Sequence, residues 1–149
     1  SYHIVYNETL RDRVCAVSNK THYNEMNVLS MHALIGAYQP QGYEWVDELN
    51  QVLASNIEYF CDYVDEHFEG VSYSRPQGTY MVFLDCTEWC REHGRDIQWL
   101  LDEGARVGVG YQDGRPFHGP CHIRVNLALP LSRVREACDR LDRYVFNAR

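Results

Sequence analysis

The sequence predicts an α/β fold, in the layered sense in which helices cover a small mixed sheet. Residues 80–84 (YMVFL) form a continuous apolar run, which predicts a strand buried on both faces. Residues 122–129 (HIRVNLAL) alternate and predict another strand. A long helix is predicted from apolar residues that recur at steps of three and four, namely Trp45, Leu49, Val52, Leu53, Ile57, Phe60, Val64 and Phe68. Helices and strands that mix along one chain indicate a layered α/β or α+β fold.

Composition and charge narrow the class of protein. The 149 residues suffice for a domain with its own core, and 45% of them are apolar. The net charge of -7 gives the chain no overall attraction for nucleic acid or anionic membranes. No apolar run approaches the roughly 20 residues that span a bilayer. Because no export signal is present, we expect a cytoplasmic location with the six cysteines as free thiols.

The first part of the chain predicts one strand and two helices. Residues 2–6 (YHIVY) favour a strand, and Asn7 can cap a helix that follows it. A second helix is expected over residues 25–38, and Pro40 with Gly42 should end it.

The elements after the long helix are shorter. Gly70 should end that helix, a strand is expected at residues 71–74, and residues 76–78 (PQG) predict a turn. Asp96 can cap the next helix, and Ser132 is expected to cap the last one. The apolar face of that last helix would carry Val134, Cys138, Leu141 and Val145.

Two motifs suggest chemistry and are each better explained without it. Cys86, Cys90 and His93 in CTEWCREH could bind zinc, but no second pair of ligands appears, so a polar turn with incidental thiols is favoured. Residues 108–114 (GVGYQDG) approach a dinucleotide-binding motif. Their third glycine comes one place late and Pro116 opposes a helix there, so a mobile loop is favoured.

Two basic residues are candidates for function. Lys20 is the only lysine in the chain, but a polar stretch gives it neither the burial nor the cationic neighbour that a Schiff-base lysine needs, so a surface position is favoured. Arg124 lies inside an apolar strand, where arginine is rarely buried without a partner. A structural ion pair and bidentate recognition of a carboxylate or phosphate are equally compatible with that pattern.

The order of these segments resembles a known family. A long helix precedes RPQGTYMVFLD, and a glycine-rich loop precedes HIRVNLALPLSRVREACDRL. Together they resemble the C-terminal half of class I/II aminotransferases, which are pyridoxal 5'-phosphate (PLP) enzymes of fold type I. Within that family the cystathionine β-lyase or C–S lyase branch is most similar. The chain departs from the family at Leu131, where Pro-Arg-Ser is common, and in the polar loop at residues 110–120.

The resemblance implies specific expectations about fold and site. The chain would comprise a remnant of the PLP-binding domain (1–22), a helical segment with a long interdomain helix (23–68) and a small C-terminal domain (69–149). Arg124 would bind the α-carboxylate of an amino-acid substrate, and Thr79 and Tyr80 would face the substrate entrance. The Schiff-base lysine would lie upstream of Ser1. No catalytic, cofactor-binding or metal-binding residue is therefore expected here.

The resemblance also implies partners and leaves one alternative. The full-length enzyme would be a homodimer that transaminates an amino acid or eliminates across a C–S bond, and the chain alone would be inactive. The alternative is a free-standing α/β interaction module that uses the long helix as a docking surface.

Overall fold

The computed structural model describes residues 4–22 and 26–147. Its helices are α1 (Glu8–Thr21), α2 (Val28–Ala37), α3 (Pro40–His67), α4 (Thr87–His93), α5 (Ile97–Arg106) and α6 (Leu131–Leu141). Its strands are β1 (Ser72–Tyr73), β2 (Met81–Asp85), β3 (Gln112–Asp113) and β4 (His122–Asn126). The backbone groups into two compact units, residues 1–46 and 47–149, and α3 contributes residues to both. None of the described helices is long and apolar enough to cross a membrane.

The first unit contains α1, α2 and the beginning of α3. Asn7 caps α1 as predicted, since its side chain accepts a hydrogen bond from the backbone N–H of Leu10 at 2.9 Å. Asn27 caps α2 in the same way, so this helix begins later than predicted. No residue of α1 or α2 is buried.

Two further predictions for this unit differ from the structure. Residues 4–6 of the predicted first strand lie in neither helix nor strand, and Tyr2 and His3 fall outside the described residues. A strand needs a neighbour for its backbone hydrogen bonds, and residues 4–22 and 26–46 contain none. Pro40 begins α3 instead of only ending α2, because the first helical position needs no N–H donor.

The second unit packs helices against a four-stranded sheet in the order β1-β2-β4-β3. All three pairs of described strands are antiparallel, so the prediction of a mixed sheet was wrong. The predicted layered fold class is confirmed, because helices pack against this sheet. In β2, Val82 and Leu84 are buried, whereas Met81, Phe83 and Asp85 are half-buried. The prediction that the YMVFL run is buried on both faces was therefore wrong: one face meets the core and the other carries polar neighbours.

The core lies between that sheet face and the helices. The part of α3 nearest the sheet supplies Phe60 and Val64, while the upstream Val52 stays half exposed. Asp96 caps α5 as predicted, accepting from the Trp99 N–H at 2.8 Å. Ser132 does not cap α6, because Pro130 occupies the N-cap position and no side chain caps that end. The predicted apolar face of the last helix is buried, and it continues through the π-helical turn Asp142–Phe146.

Candidate functional site

The candidate site lies on the half-buried face of the sheet. Along β4, Ile123 and Val125 point into the core, so His122 and Arg124 share the other face. The strand register places Phe83 of β2 and Gln112 of β3 on either side of Arg124. The antiparallel pairing thus puts an arginine between an aromatic ring and an amide.

Arg124 is held by neutral groups. Its Nη2 donates a hydrogen bond to Oε1 of Gln112. The Phe117 ring covers one face of the guanidinium, with its centroid 4.0 Å from Cζ. Within residues 4–22 and 26–147, Nε of Arg124 is buried without a hydrogen-bond partner, and no carboxylate forms an ion pair with this side chain. The positive charge is therefore not neutralised by any described residue.

The acid on this face has other partners. Asp85 lies opposite His122 in the register, and its Oδ2 is 3.7 Å from the imidazole Nε2. Oδ1 of Asp85 accepts from the backbone N–H of Thr87 at 2.9 Å and from its hydroxyl at 2.5 Å. Burial raises the pKa of the Asp85 carboxyl, but these hydrogen bonds and the nearby imidazole outweigh it and hold the pKa below its ordinary value. Asp85 is thus an ionised carboxylate whose partners are Thr87 and His122, and it does not pair with Arg124.

The polar loop before β4 folds across this face. Arg115 donates from its backbone N–H to Oδ1 of Asp113 at 2.9 Å and from Nε to Oδ2 at 2.8 Å, which closes the turn. Two glycines let the loop approach the sheet. A Cβ on Gly114 would lie 2.4 Å from the carbonyl oxygen of His122, and one on Gly119 would lie 2.5 Å from Cζ of Phe83. The single-turn helix Arg115–Phe117 then brings the Phe117 ring over Arg124.

A buried amide fixes the backbone that follows β4. Asn56 of α3 is 1% exposed, and its Nδ2 donates to the carbonyl oxygens of Leu127 at 2.9 Å and Leu129 at 2.8 Å. Buried carbonyl groups need such donors. This contact ties the strand that carries Arg124 to the long helix.

Thr79 and Tyr80 lie elsewhere. The backbone carbonyl of Tyr80 accepts a hydrogen bond from the N–H of Leu127. Leu127 follows Arg124 by three residues, so Tyr80 lies roughly 10 Å from Arg124 along the strand direction. Thr79 is exposed and has a φ of 67°. Both line a groove of about 540 Å³ against α3, together with Leu49, Leu53, Ile57 and Arg75. The structure does not bring these two residues together with Arg124.

A second cavity lies on the core side of β4. It measures about 360 Å³ and is lined by apolar residues of β4 and α6 and by the turn at residues 108–110. Its charged members are already engaged: Arg140 donates to Glu136 at 2.5 Å, and Arg133 donates to the same carboxylate at 2.7 Å. Arg124 lines neither of these two cavities.

The cysteine motif CTEWCREH and Lys20 have structural positions in helices α4 and α1. Cys86 and Cys90 are buried at α4, so the predicted polar turn was wrong and a helix with core thiols stands there. Burial, and then the hydrogen bond with the Cys121 thiol, raise the pKa of the Cys90 thiol above its ordinary value. Among the described residues, no group of three or more His, Cys, Asp or Glu side chains could hold a metal ion. Lys20 lies exposed in the last turn of α1.

Sequence reasoning missed three residues at this site. Gln112 and Phe117 stand in the polar loop at residues 110–120, but their contacts with Arg124 depend on the β3–β4 register and on the turn that follows β3. Asn56 left a weak signal, because it interrupts the apolar stripe of the long helix one turn before Phe60.

Comparisons with known proteins agree with this fold. The "Putative cystathionine beta-lyase" of Mycobacterium leprae is 35% identical over 124 residues, which are 72% of this chain and 30% of that protein. The PLP-bound C–S lyase of Staphylococcus hominis has a TM-score of 0.77 at 24% identity, covering 93% of this chain and 36% of that one. Cystalysin of Treponema denticola, whose structure contains PLP, has a TM-score of 0.79 at 22% identity, covering 93% and 35%.

The predicted resemblance is therefore confirmed at the level of family and fold. The chain spans about 30% of the length of the curated relatives it matches. The model of the family "Aminotransferase class I and II" matches residues 3–141, and we conclude that the chain belongs to this family of aminotransferases.

Proposed function

We propose that this chain supplies the binding site for the α-carboxylate of an amino-acid substrate in a PLP-dependent enzyme, either a C–S β-lyase or an aminotransferase. One observation carries the proposal. Arg124 presents a half-buried guanidinium on a strand, held by an amide and a ring, and no described acid pairs with it. A structural arginine in this position would be expected to have a carboxylate partner.

The chemistry of the two groups is complementary. A guanidinium is planar and permanently charged, and its N–H donors match the two oxygens of a carboxylate. Binding at both oxygens fixes the orientation of the substrate as well as its position, so the bond to be broken at Cα can be aimed. In this proposal Arg124 binds and orients, and it moves no proton.

The residues that hold the PLP cofactor would belong to another part of the enzyme. PLP supplies the electron sink for reactions at the Cα of amino acids. Lys20 does not fit the Schiff-base role, because it is exposed on α1 and is the only lysine of the chain. We therefore place the lysine that holds PLP in a part of the enzyme other than this chain. Elimination and transamination both begin with loss of the Cα proton, and Arg124 would serve either.

Further parts of the proposal follow from the family resemblance. Thr79 and Tyr80 would contribute to the substrate entrance through the groove they line against α3. The enzyme would be a homodimer in the cytoplasm, and the chain alone would be inactive.

The test compares substrates with and without a carboxylate. In the intact enzyme, expressed from the complete gene, kcat/KM would be measured for an amino acid and for its α-carboxamide. Arg124→Gln and Arg124→Lys should each lower kcat/KM for the acid by about 100-fold, because a lost charge-assisted bidentate contact costs several kcal/mol. Activity on the amide should change by less than about three-fold, since a neutral amide offers no charge to the guanidinium.

The ratio of the two substrates separates binding from folding. A general defect in folding or cofactor loading lowers both activities together, whereas loss of carboxylate binding lowers only the activity on the acid. Equal losses for acid and amide would contradict the proposed function of Arg124. A lysine variant with wild-type preference for the acid would contradict the bidentate geometry.

The position of Lys20 makes a separate prediction about the cofactor. When the 149-residue chain is incubated with PLP and then reduced with borohydride, Lys20 should be modified no faster than the lysine of a short control peptide. The reason is that an exposed amine gains nothing from the fold. Peptide mapping by mass spectrometry measures the rate. Rapid stoichiometric modification of Lys20, lost in Lys20→Arg, would overturn the assignment of the PLP lysine to another part of the enzyme.

A further inference from the structure

The orientation of the Arg124 guanidinium is not determined by β4, the strand that carries it. An arginine side chain has several rotatable bonds, and ordering them costs conformational entropy. The backbone of β4 fixes only the positions of Cα and Cβ of this side chain. Two contacts from the segment between α5 and β4 fix the position of the guanidinium, namely the hydrogen bond to Gln112 and the packing of Phe117.

The chemistry of Gln112 suits a group that holds a cation without neutralising it. Gln112 lies directly opposite Arg124 in the β3–β4 register, and its Oε1 accepts from Nη2. An amide oxygen accepts hydrogen bonds through its two lone pairs and carries no net charge. A carboxylate at the same place would form an ion pair with Arg124 and compete with any incoming carboxylate. The side chain of Gln112 is exposed, so an acid could be accommodated there.

Phe117 restrains the same guanidinium from a second direction. Its ring centroid lies 4.0 Å from Cζ, within the range of a cation–π contact. Nε of Arg124 is buried and has no hydrogen-bond partner among the described residues, so this donor is shut away from solvent. Nη1 and the second N–H of Nη2 are left to bind a ligand.

We propose that Gln112 and Phe117 are positioning residues for Arg124, and that the neutral amide at Gln112 keeps the guanidinium charge available to the carboxylate of the substrate. This inference rests on the proposed function of Arg124. It also assigns a purpose to the polar loop at residues 110–120.

Four variants of the intact enzyme test the proposal. Gln112→Glu changes the acceptor to a carboxylate with almost no change in shape, and Gln51→Glu places the same charge on an exposed site of α3 as a control. Phe117→Leu removes the ring, and Phe117→Tyr retains it. The readout is the ratio of kcat/KM for an amino acid to that for its α-carboxamide.

The expected pattern is specific to positioning. Gln112→Glu should lower the acid-to-amide ratio by about 30-fold, because the new carboxylate occupies the guanidinium. Phe117→Leu should lower it by about five-fold, mainly through a higher KM for the acid, and Phe117→Tyr should restore it. Gln51→Glu should leave the ratio within about two-fold of the parent.

A second measurement needs no activity. In the ¹⁵N-labelled 149-residue chain, the Nε–Hε resonance of Arg124, identified by its loss in Arg124→Gln, should show restricted motion by heteronuclear relaxation. Phe117→Leu should make it as mobile as the resonances of solvent-exposed arginines, and Phe117→Tyr should not. This readout detects a variant that fails to fold, because the backbone resonances would then change as well.

The outcomes separate this inference from the proposed function. If Arg124→Gln abolishes the preference for the acid while Gln112→Glu and Phe117→Leu keep it, the positioning inference fails and the proposed function stands. If Arg124→Gln keeps the preference, both fail. An Arg124 resonance as mobile in the parent chain as in Phe117→Leu would also overturn the inference.

Discussion

At the scale of single residues, a buried amide stabilises the backbone next to the candidate site. Asn56 supplies the donors for two carbonyl groups that follow β4. In Asn56→Leu, which has a similar size, those carbonyls would lose their partners, and the free energy of unfolding should fall by about 2–4 kcal/mol. Urea denaturation followed by circular dichroism measures this change.

The control for that prediction lies on the same helix. Asn50 is exposed, so Asn50→Leu should change the free energy of unfolding by less than about 0.5 kcal/mol. Asn56→Asp should be at least as damaging as Asn56→Leu, since a carboxylate would face two carbonyl oxygens. An Asn56→Leu protein as stable as Asn50→Leu would contradict the importance of these hydrogen bonds.

At the scale of residues, the sequence pattern singled out Arg124 as a candidate, but it did not indicate the residues that contact Arg124. A cation inside an alternating apolar strand is conspicuous in the sequence, and the structure leaves it without a described acid. Gln112 and Phe117 carry no such signal, since a glutamine and a phenylalanine in a loop are common. The β3–β4 register and a close turn bring them to Arg124.

At the scale of elements, glycines let the polar loop lie on the sheet. A Cβ on Gly119 would approach Phe83 and His122 within 2.6 Å, so Gly119→Ala must push the loop away. We expect a loss of about 1–3 kcal/mol in the free energy of unfolding and a mobile Arg124 side chain, because Phe117 moves with the loop. Thermal unfolding and the Arg124 Nε–Hε relaxation measure the two effects.

The matched control is a glycine of the same segment. A Cβ on Gly110 would meet no atom within 4 Å, so Gly110→Ala should leave both quantities close to those of the parent. If the two alanine variants behave alike, close approach of the loop is not what Gly119 provides.

Element-scale prediction succeeded where one local signal decided the outcome. Asn7 and Asp96 cap helices as expected, because a short polar side chain before an apolar periodic segment needs only its own backbone. The strand at YMVFL was found, but its burial on both faces was not, because burial depends on which elements cover each face. Residues 4–6 failed as a strand because no neighbouring strand accompanies them among the described residues of their unit.

At the scale of the whole molecule, buried thiols make stability depend on alkaline pH. Burial raises the pKa of the Cys138 thiol from its ordinary value of about 9 to about 12. Between those values the unfolded chain has lost a proton that the folded chain keeps, so stability is full below pH 9 and falls as pH rises toward 12. Each such thiol contributes a slope of up to about 1.4 kcal/mol per pH unit.

The measurement is the free energy of unfolding at pH 8 and pH 10.5 with reductant present. Cys138→Ala should reduce the difference between the two values. Cys15→Ala should leave the difference unchanged, because Cys15 is exposed. A slope that Cys138→Ala does not alter would contradict burial of the Cys138 thiol.

The sequence by itself determined the family, the layered fold class, most helices and the arginine that the proposed function depends on. These follow from periodicity, capping residues and motifs that are local along the chain. The tertiary structure decided which groups surround Arg124, where Thr79 and Tyr80 lie, and which sheet face is covered. Each of these depends on strand register and on contacts between residues distant in sequence, and the pattern of any one segment does not contain that information.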